Sequence, residues 1–283
     1  MTRILYFFTA LSFLLLAGCH PKIKERNDNI YSRHLQKHID LTVINTPVPK
    51  DKGSYNLLLL NDGQDAEKLR IKDIVDSLNR KKLIQPLVIV AINAFDRTQE
   101  YGVAGNPDYR GNGASAEKYA NFIINELLPF IKKQSGVRKF NSVTFAGWSL
   151  GGLSALDVSW DHADKIDKVG AFSGAWRYSD KDIADSNYTN DKNRIITNKI
   201  RSSRKRPHLK YWFYAGAAGE TSDKDKEGLK DENDNTRDLI DLIKKKKVCP
   251  PGDISYIEVK DGNNDYASWS NQLPQFLIWA VGK

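Results

Sequence analysis

The sequence predicts an α/β fold with a mainly parallel β-sheet and helices on both faces. Short apolar runs alternate along the chain with amphipathic stretches, the pattern of strands and helices that pack in layers. Several of these runs are apolar throughout, as expected for strands buried on both faces. With 283 residues, of which 40% are hydrophobic, the chain can bury one large core.

The strands are predicted first, because their apolar runs are the clearest local signal. The run at 87–92 is aliphatic and the run at 55–60 is nearly continuously apolar, which favours the centre of a sheet. In chain order the predicted strands are residues 41–44, 55–60, 87–92, 142–146, 169–172, 211–214 and 254–259.

Helices are predicted between these strands, at residues 66–78, 116–133 and 237–247. In the second of them, Tyr119, Phe122, Ile123 and Leu127 recur at helical spacing and form one apolar face. No linker-like segment interrupts residues 31–283, so we expect one domain there.

The first 18 residues are predicted to be a signal peptide rather than part of the fold. Arg3 precedes an apolar run over 4–17 that is too short to span a bilayer comfortably. The run ends in Leu16-Ala17-Gly18-Cys19, which resembles the lipobox of bacterial lipoproteins. That resemblance implies lipid on Cys19 and a place in the bacterial cell envelope, at the periplasmic face or the outer membrane surface. An ordinary signal peptide with a chance cysteine is the alternative, and the polar residues 19–30 are predicted to be a tether.

The charge balance argues against a dedicated nucleic-acid-binding protein. Lys and Arg number 43 against 35 Asp and Glu, a formal charge of +8, and acidic residues are interleaved nearly everywhere. We interpret the four lysines at 244–247 and the cations within 199–206 as solvated surface that suits the negative end of a helix dipole. Two cysteines and five histidines are too few for a disulfide framework, and no pair has zinc-finger spacing.

The segment Gly147-Trp148-Ser149-Leu150-Gly151 is the strongest chemical signal in the chain. It is a G-x-S-x-G motif between the predicted strand at 142–146 and a helix-compatible run, the context of a nucleophile elbow. The tight turn would present Ser149 Oγ at the end of the sheet. The Leu150 N–H would point to the same space and could donate to an oxyanion.

Together with this motif, several segments resemble the esterase family of α/β-hydrolases. This family includes enterochelin esterases, feruloyl esterases and esterase D. They lie at residues 59–65, 97–102, 107–111, 126–131, 165–174 and 273–280. The resemblance implies an α/β-hydrolase fold, a small-molecule or glycan ester as substrate, and neither cofactor nor metal. It also implies that the loop around Gly63 and Gln64 supplies the second oxyanion donor.

The partners of the nucleophile depart from the family pattern. The resemblance implies a histidine five residues before Trp269, and Asn264 occupies that position. It implies an acid at position 219, which is glycine here, so Glu220 is the best remaining acid. An asparagine takes no proton near neutral pH, and loss of the base lowers turnover by roughly 10⁴ to 10⁶.

Two functions follow from this departure. The first is a serine carboxylic-ester hydrolase of siderophore, feruloyl or carbohydrate type with weak or absent activity. The second is a non-catalytic, lipid-anchored pseudo-esterase that binds a glycan or a partner protein. Four aromatic residues could stack on a sugar in that site: Tyr101, Trp148, Trp176 and Trp269. The alternative is that these rings only pack in the core and at the rim. A calcium loop over residues 223–234 is a weaker hypothesis, since Lys230 and Asp234 depart from the usual pattern.

Overall fold

The computed structural model describes residues 22–47, 55–216, 232–259 and 262–283. These residues contain one eight-stranded sheet in the order β1-β2-β4-β3-β5-β6-β7-β8. β2 runs antiparallel to β1 and to β4, and all other neighbours are parallel. The strands are β1 (Lys24–Ser32), β2 (Lys37–Asn45), β3 (Asn56–Asn61), β4 (Leu87–Ile92), β5 (Val143–Trp148), β6 (Lys168–Phe172), β7 (Lys210–Gly216) and β8 (Ile254–Val259).

Helices cover both faces of this sheet. They are α1 (Ile71–Arg80), α2 (Arg97–Glu100), α3 (Ala116–Phe122), α4 (Leu128–Ser135), α5 (Leu150–Asp161), α6 (Asn190–Asn193), α7 (Ile195–Ser202), α8 (Glu232–Lys245) and α9 (Tyr266–Val281). Among the described residues, none of the helices has the length and apolarity needed to span a bilayer.

The central strands carry the core because their side chains alternate between two buried faces. Leu57 and Leu59 of β3 belong to a cluster with α3, α4, α5, α7 and α8. Leu58 and Leu60 of the same strand point to the other face, which α1 and α9 cover. The aliphatic runs at 55–60 and 87–92 therefore lie in central strands, and the predicted α/β fold is confirmed.

The direction of the strands gives the sheet two different edges. The parallel strands β3 to β8 all end at one edge, here called the carboxyl edge, and all begin at the other, the amino edge. β1 is antiparallel to β2, which is antiparallel to β4, so β1 also begins at the amino edge. In sheets of this kind ligands bind at the carboxyl edge.

The predicted tether at 19–30 is wrong from Lys24 onward, because β1 occupies Lys24–Ser32. β1 pairs with β2 along its whole length, from Lys24 opposite Asn45 to Ser32 opposite Lys37. It is an edge strand with mostly exposed, polar side chains, so it lacks the apolar alternation that reveals a half-buried strand. Cross-strand backbone bonds, which leave no mark on composition, order this segment.

Two helices differ in detail from their predicted bounds. The helix expected from residue 66 begins at Ile71, because a 3₁₀ turn occupies Gly63–Asp65 and Arg70 takes a left-handed conformation with φ 54°. The helix expected over 116–133 is present but is divided by a π-helical turn at Ile123–Leu127. The helix predicted at 237–247 is α8, and no helix was predicted at α9.

Candidate active site

Ser149 lies at the turn between β5 and α5, as the G-x-S-x-G motif predicts. Its backbone has φ 50° and ψ −122°, a conformation that stores about 1–3 kcal/mol of strain in a non-glycine residue. The turn after β6 holds it there. The Ser149 N–H donates to the Phe172 carbonyl (2.9 Å), and the Ala175 N–H donates to the Ser149 carbonyl (3.1 Å). The serine is thereby fixed at the carboxyl edge.

The two flanking glycines lie in close packing, Gly147 against backbone and Gly151 against the Asp62 side chain. A Cβ on Gly147 would lie 2.6 Å from the carbonyl carbon of Gly151. A Cβ on Gly151 would lie 2.7 Å from Asp62 Oδ2. The motif therefore permits a tight turn and also a close approach between the start of α5 and the loop after β3.

The predicted oxyanion donors lie on the two sides of that contact. Leu150 is the first residue of α5, where backbone N–H groups have no intrahelical partner. Gly63 and Gln64 form the 3₁₀ turn directly after β3, the strand that neighbours β5. A Cβ on Gly63 would lie 2.5 Å from the carbonyl carbon of Ala91, so only glycine fits there. The Gln64 side chain accepts a hydrogen bond from the Ala94 N–H (3.3 Å).

An ion pair that the sequence analysis assigned no role joins these two sides. Arg97 Nε donates to Asp62 Oδ1 (2.8 Å) and Arg97 Nη2 donates to Asp62 Oδ2 (3.1 Å). The same Nη2 also reaches the carbonyl of Trp148 (3.3 Å), the residue before the nucleophile. Asp62 is fully buried, and burial raises its pKa while the hydrogen bonds and charge of Arg97 act in the opposite direction.

Buried hydrogen bonds support this ion pair from below. The Asp62 N–H donates to Tyr101 Oη (3.0 Å), and Tyr119 Oη donates to Asn61 Oδ1 (2.6 Å). Asn61 Nδ2 in turn donates to the Gly151 carbonyl (2.7 Å). Burial raises the pKa of both tyrosines well above the ordinary value, so both hydroxyls stay protonated. The loop after β3 and the first turn of α5 are thus connected at several points.

Asn264, which the sequence resemblance aligns with the family's histidine, lies at the same edge. Its Oδ1 accepts a hydrogen bond from Ser173 Oγ (2.5 Å), and Trp269 Nε1 donates to the same hydroxyl (3.3 Å). Ser173 has φ 48° and directly follows Phe172, the residue that holds the Ser149 backbone. Ser173 therefore connects Asn264 to the nucleophile turn. In the sequence, Ser173 stands out only as part of a stretch that resembles the esterase family.

The described histidines lie away from Ser149. His162 follows α5 and His208 precedes β7, so both are at the amino edge. His34 and His38 belong to the β1–β2 hairpin, three strands from β5 in the sheet. Glu220, Gly219, Cys19, His20 and residues 223–231 lie outside the described residues. Asp234 of the hypothetical calcium loop lies in α8 and pairs with Arg237 (2.9 Å).

The four aromatic side chains considered for sugar stacking are buried. Tyr101, Trp148, Trp176 and Trp269 have at most 6% of their surface exposed. Trp148 stacks on Trp269 with ring centroids 6.0 Å apart, and Trp176 Nε1 donates to Thr236 Oγ1 (2.9 Å). The packing interpretation of these rings is therefore correct, and the stacking interpretation is wrong.

Comparisons with solved structures find the same fold in several hydrolases. An enterochelin esterase from Shigella flexneri matches with a TM-score of 0.70 at 21% identity, covering 92% of this chain and 59% of that one. A ferulic acid esterase matches with a TM-score of 0.67 at 19% identity, covering 92% and 98%. An IroE-like serine hydrolase from Shewanella oneidensis matches with a TM-score of 0.64 at 17% identity, covering 90% of this chain and 79% of that one. At these identities the likeness establishes the α/β-hydrolase fold.

A search of curated proteins finds no match. The family model described as "Putative esterase" matches residues 32–280, which include β2 to β8, the Ser149 turn, the Asp62–Arg97 pair and Asn264. Since that match covers most of the sequence, the chain belongs to this esterase family.

Proposed function

We propose that the protein is a serine carboxylic-ester hydrolase that acts slowly on a small-molecule ester. The observation that carries the proposal is the strained Ser149 at the carboxyl edge, with its turn tied to the Gly63–Gln64 loop by Arg97 and Asp62. Strain of this kind persists only where the surrounding structure enforces it. The substrate classes of the similar structures, enterochelin and ferulic acid esters, and carbohydrate esters are the candidates.

In the proposed reaction Ser149 Oγ bonds to the ester carbonyl carbon and the carbonyl oxygen becomes an oxyanion. The N–H groups of Leu150 and of the Gly63–Gln64 loop would stabilise that charge. The serine proton passes to water, and the oxyanion collapses with cleavage of the bond between the carbonyl carbon and the alkoxy oxygen. The alkoxide takes a proton from water and leaves as the alcohol. A second water then hydrolyses the acyl-serine, which releases the carboxylic acid and restores the Ser149 hydroxyl. Asn264 accepts no proton at neutral pH, and Glu220 remains the candidate acid. We therefore expect turnover at least ~10³-fold below that of an intact triad.

The test compares reaction of the native chain with a fluorophosphonate probe against Ser149→Ala. Ser202→Ala, an exposed serine of α7 at the amino edge, is the matched control and should react like the native chain. Equal reaction of native and Ser149→Ala protein would contradict the proposal.

Hydrolysis of p-nitrophenyl acetate then tests the missing base. Asn264→His should raise the rate, and Gly219→Asp with Asn264→His should exceed the product of the single effects, because a base and its acid act as a unit. A native protein already at ordinary esterase rates, with that activity abolished by Ser149→Ala, would show that another group supplies the base.

Asn264 supports a second candidate, a non-catalytic pseudo-esterase that binds a glycan or partner protein through the same edge. Here Ser149→Ala would leave ligand binding unchanged, whereas substitutions that open the Asp62–Arg97 pair would weaken it. Absence of probe reaction together with such binding would favour this candidate.

We also propose that Cys19 carries lipid and holds the protein in a bacterial cell envelope. The tetrapeptide Leu16-Ala17-Gly18-Cys19 after an apolar run supports this. Cys19→Ser should move the protein from the detergent phase to the aqueous phase on partitioning. Unchanged partitioning would contradict the assignment.

A further inference from the structure

Positive charge concentrates at the amino edge of the sheet, opposite the candidate active site. Helices that precede parallel strands end there, and four such segments are rich in Lys and Arg. Residues 80–82 carry three cations, 132–139 four, 201–210 five and 244–247 four, without any Asp or Glu among them. They precede β4, β5, β7 and β8 respectively, so these separate runs share one side of the molecule.

Two of these runs are in direct contact. Lys246 Nζ donates to the Arg201 carbonyl (2.7 Å), which joins the end of α8 to the end of α7. The loop before β6, residues 161–167, lies at the same edge and holds three Asp against one Lys, and its Asp161 pairs with Lys205 (2.9 Å). For 244–247, the described part of the chain places no carboxylate within ion-pair distance. Most of these side chains are exposed.

The carboxyl edge has no such excess of positive charge. The loop segments 61–70 and 93–115 each hold three acidic residues against two cations. The segment 173–194 holds four of each. The positive charge of the chain is therefore distributed asymmetrically along the strand direction, which composition alone does not reveal.

The N-terminal segment approaches the same positive edge. β1 begins at Lys24 on the amino edge, and Cys19 precedes it by five residues. Five extended residues span at most roughly 17 Å. A lipid on Cys19 would thus be attached close to the amino edge, whose loops carry the cations.

We propose that the amino edge docks on anionic lipid headgroups and holds the carboxyl edge away from the membrane. Cations near an anionic leaflet each strengthen binding about fivefold. The basic edge would add this attraction to the lipid on Cys19 and would set which side of the domain faces the membrane. This inference is independent of ester hydrolysis, since it concerns the opposite side of the molecule.

The test uses the chain from residue 20 onward, which contains every described strand and helix, so that no lipid contributes. Its sedimentation with phosphatidylcholine–phosphatidylglycerol vesicles is compared with that on phosphatidylcholine alone. We expect binding to the anionic vesicles only. Raising the salt from about 0.1 M to about 1 M should abolish it, because the Debye length falls from about 10 Å to about 3 Å.

Two variants of equal net charge separate the edge from overall charge. The first changes the four lysines at 244–247 to Gln and should lower the partition coefficient on the order of 10²-fold or more. The matched control changes four cations of the carboxyl edge, Arg110, Lys118, Lys181 and Lys192, to Gln and should stay within a few-fold of the parent chain. Thermal unfolding checks that both variants are folded. A second edge variant changes four other cations to Gln: Arg201, Arg204, Lys205 and Arg206.

Equal losses in the edge and control variants would overturn the proposal, as would the absence of binding to anionic vesicles. Binding to transfer RNA but not to vesicles, lost in the edge variants, would assign the surface to nucleic acid and likewise overturn it.

Discussion

Replacement of Arg97 by Gln tests whether the ion pair between partly exposed Arg97 and buried Asp62 holds the candidate active site together. Asp62 is fully buried, and in the native chain Arg97 donates two hydrogen bonds to it. The variant leaves that carboxylate with Gln64 Nε2 (3.1 Å) as its remaining side-chain donor. Breaking a buried pair from one side costs about 3–5 kcal/mol. For a domain of this size that corresponds to a fall in Tm of roughly 6–20 °C.

The loss should depend on pH in a defined direction. Burial already raises the pKa of Asp62 in the folded chain, and removal of Arg97 takes away the main opposing influence. A carboxyl with a raised folded-state pKa binds its proton more tightly when folded, so stability rises as pH falls towards the unfolded value near 3.8. The deficit of Arg97→Gln should therefore be largest at pH 7–8 and shrink as the pH is lowered from there.

The assay is urea unfolding across this pH range, with Ser149 labelling by the fluorophosphonate measured in parallel. Arg97→Gln with Asp62→Asn should regain most of the stability, because no charge is left buried. Fluorophosphonate labelling of Ser149 should be slower in Arg97→Gln than in the native chain and should stay slow in the double variant. In both, residue 97 no longer reaches the Trp148 carbonyl. The control is Arg237→Gln, whose half-exposed pair with Glu258 (2.6 Å) contributes about 0–1 kcal/mol. A pH-independent deficit, or none, would refute the reasoning.

Three other substitutions or reagents probe the same structure. Gly151→Ala should lower the free energy of unfolding measured in urea by about 1–3 kcal/mol, because its Cβ would meet Asp62 Oδ2 at 2.7 Å. Gly252→Ala, with open space around it, should be nearly neutral, and equal effects of the two substitutions would contradict this. Lys199→Met should cost about 3–5 kcal/mol by stranding buried Asp157 (2.5 Å), while exposed Lys165→Met should cost under about 1 kcal/mol; a stable Lys199 variant would disprove it. Burial raises the pKa of the Cys249 thiol to about 11, so its alkylation should accelerate about tenfold per pH unit between pH 7 and 10, and a plateau below pH 9 would be inconsistent with that environment.

Local signals were enough to predict the framework of the molecule. The runs at 55–60 and 87–92 are β3 and β4 within a residue, because a strand buried on both faces is apolar along most of its length. The turn at Ser149 was equally predictable, since its two flanking glycines are marked by the motif and both lie in close packing. Each of these features depends on residues adjacent in sequence.

The α/β class, the central strands and the nucleophile turn can therefore be predicted from local sequence. The tertiary structure alone decided the Asp62–Arg97 contact, which joins residues 35 positions apart, and the hydrogen bond between Ser173 and Asn264, 91 apart. It also decided that polar residues 24–32 form a strand and that four basic runs share one edge. The physical reason is that these features depend on strand order and direction, which are set by packing across the sheet and leave no periodicity in the segments they bring together.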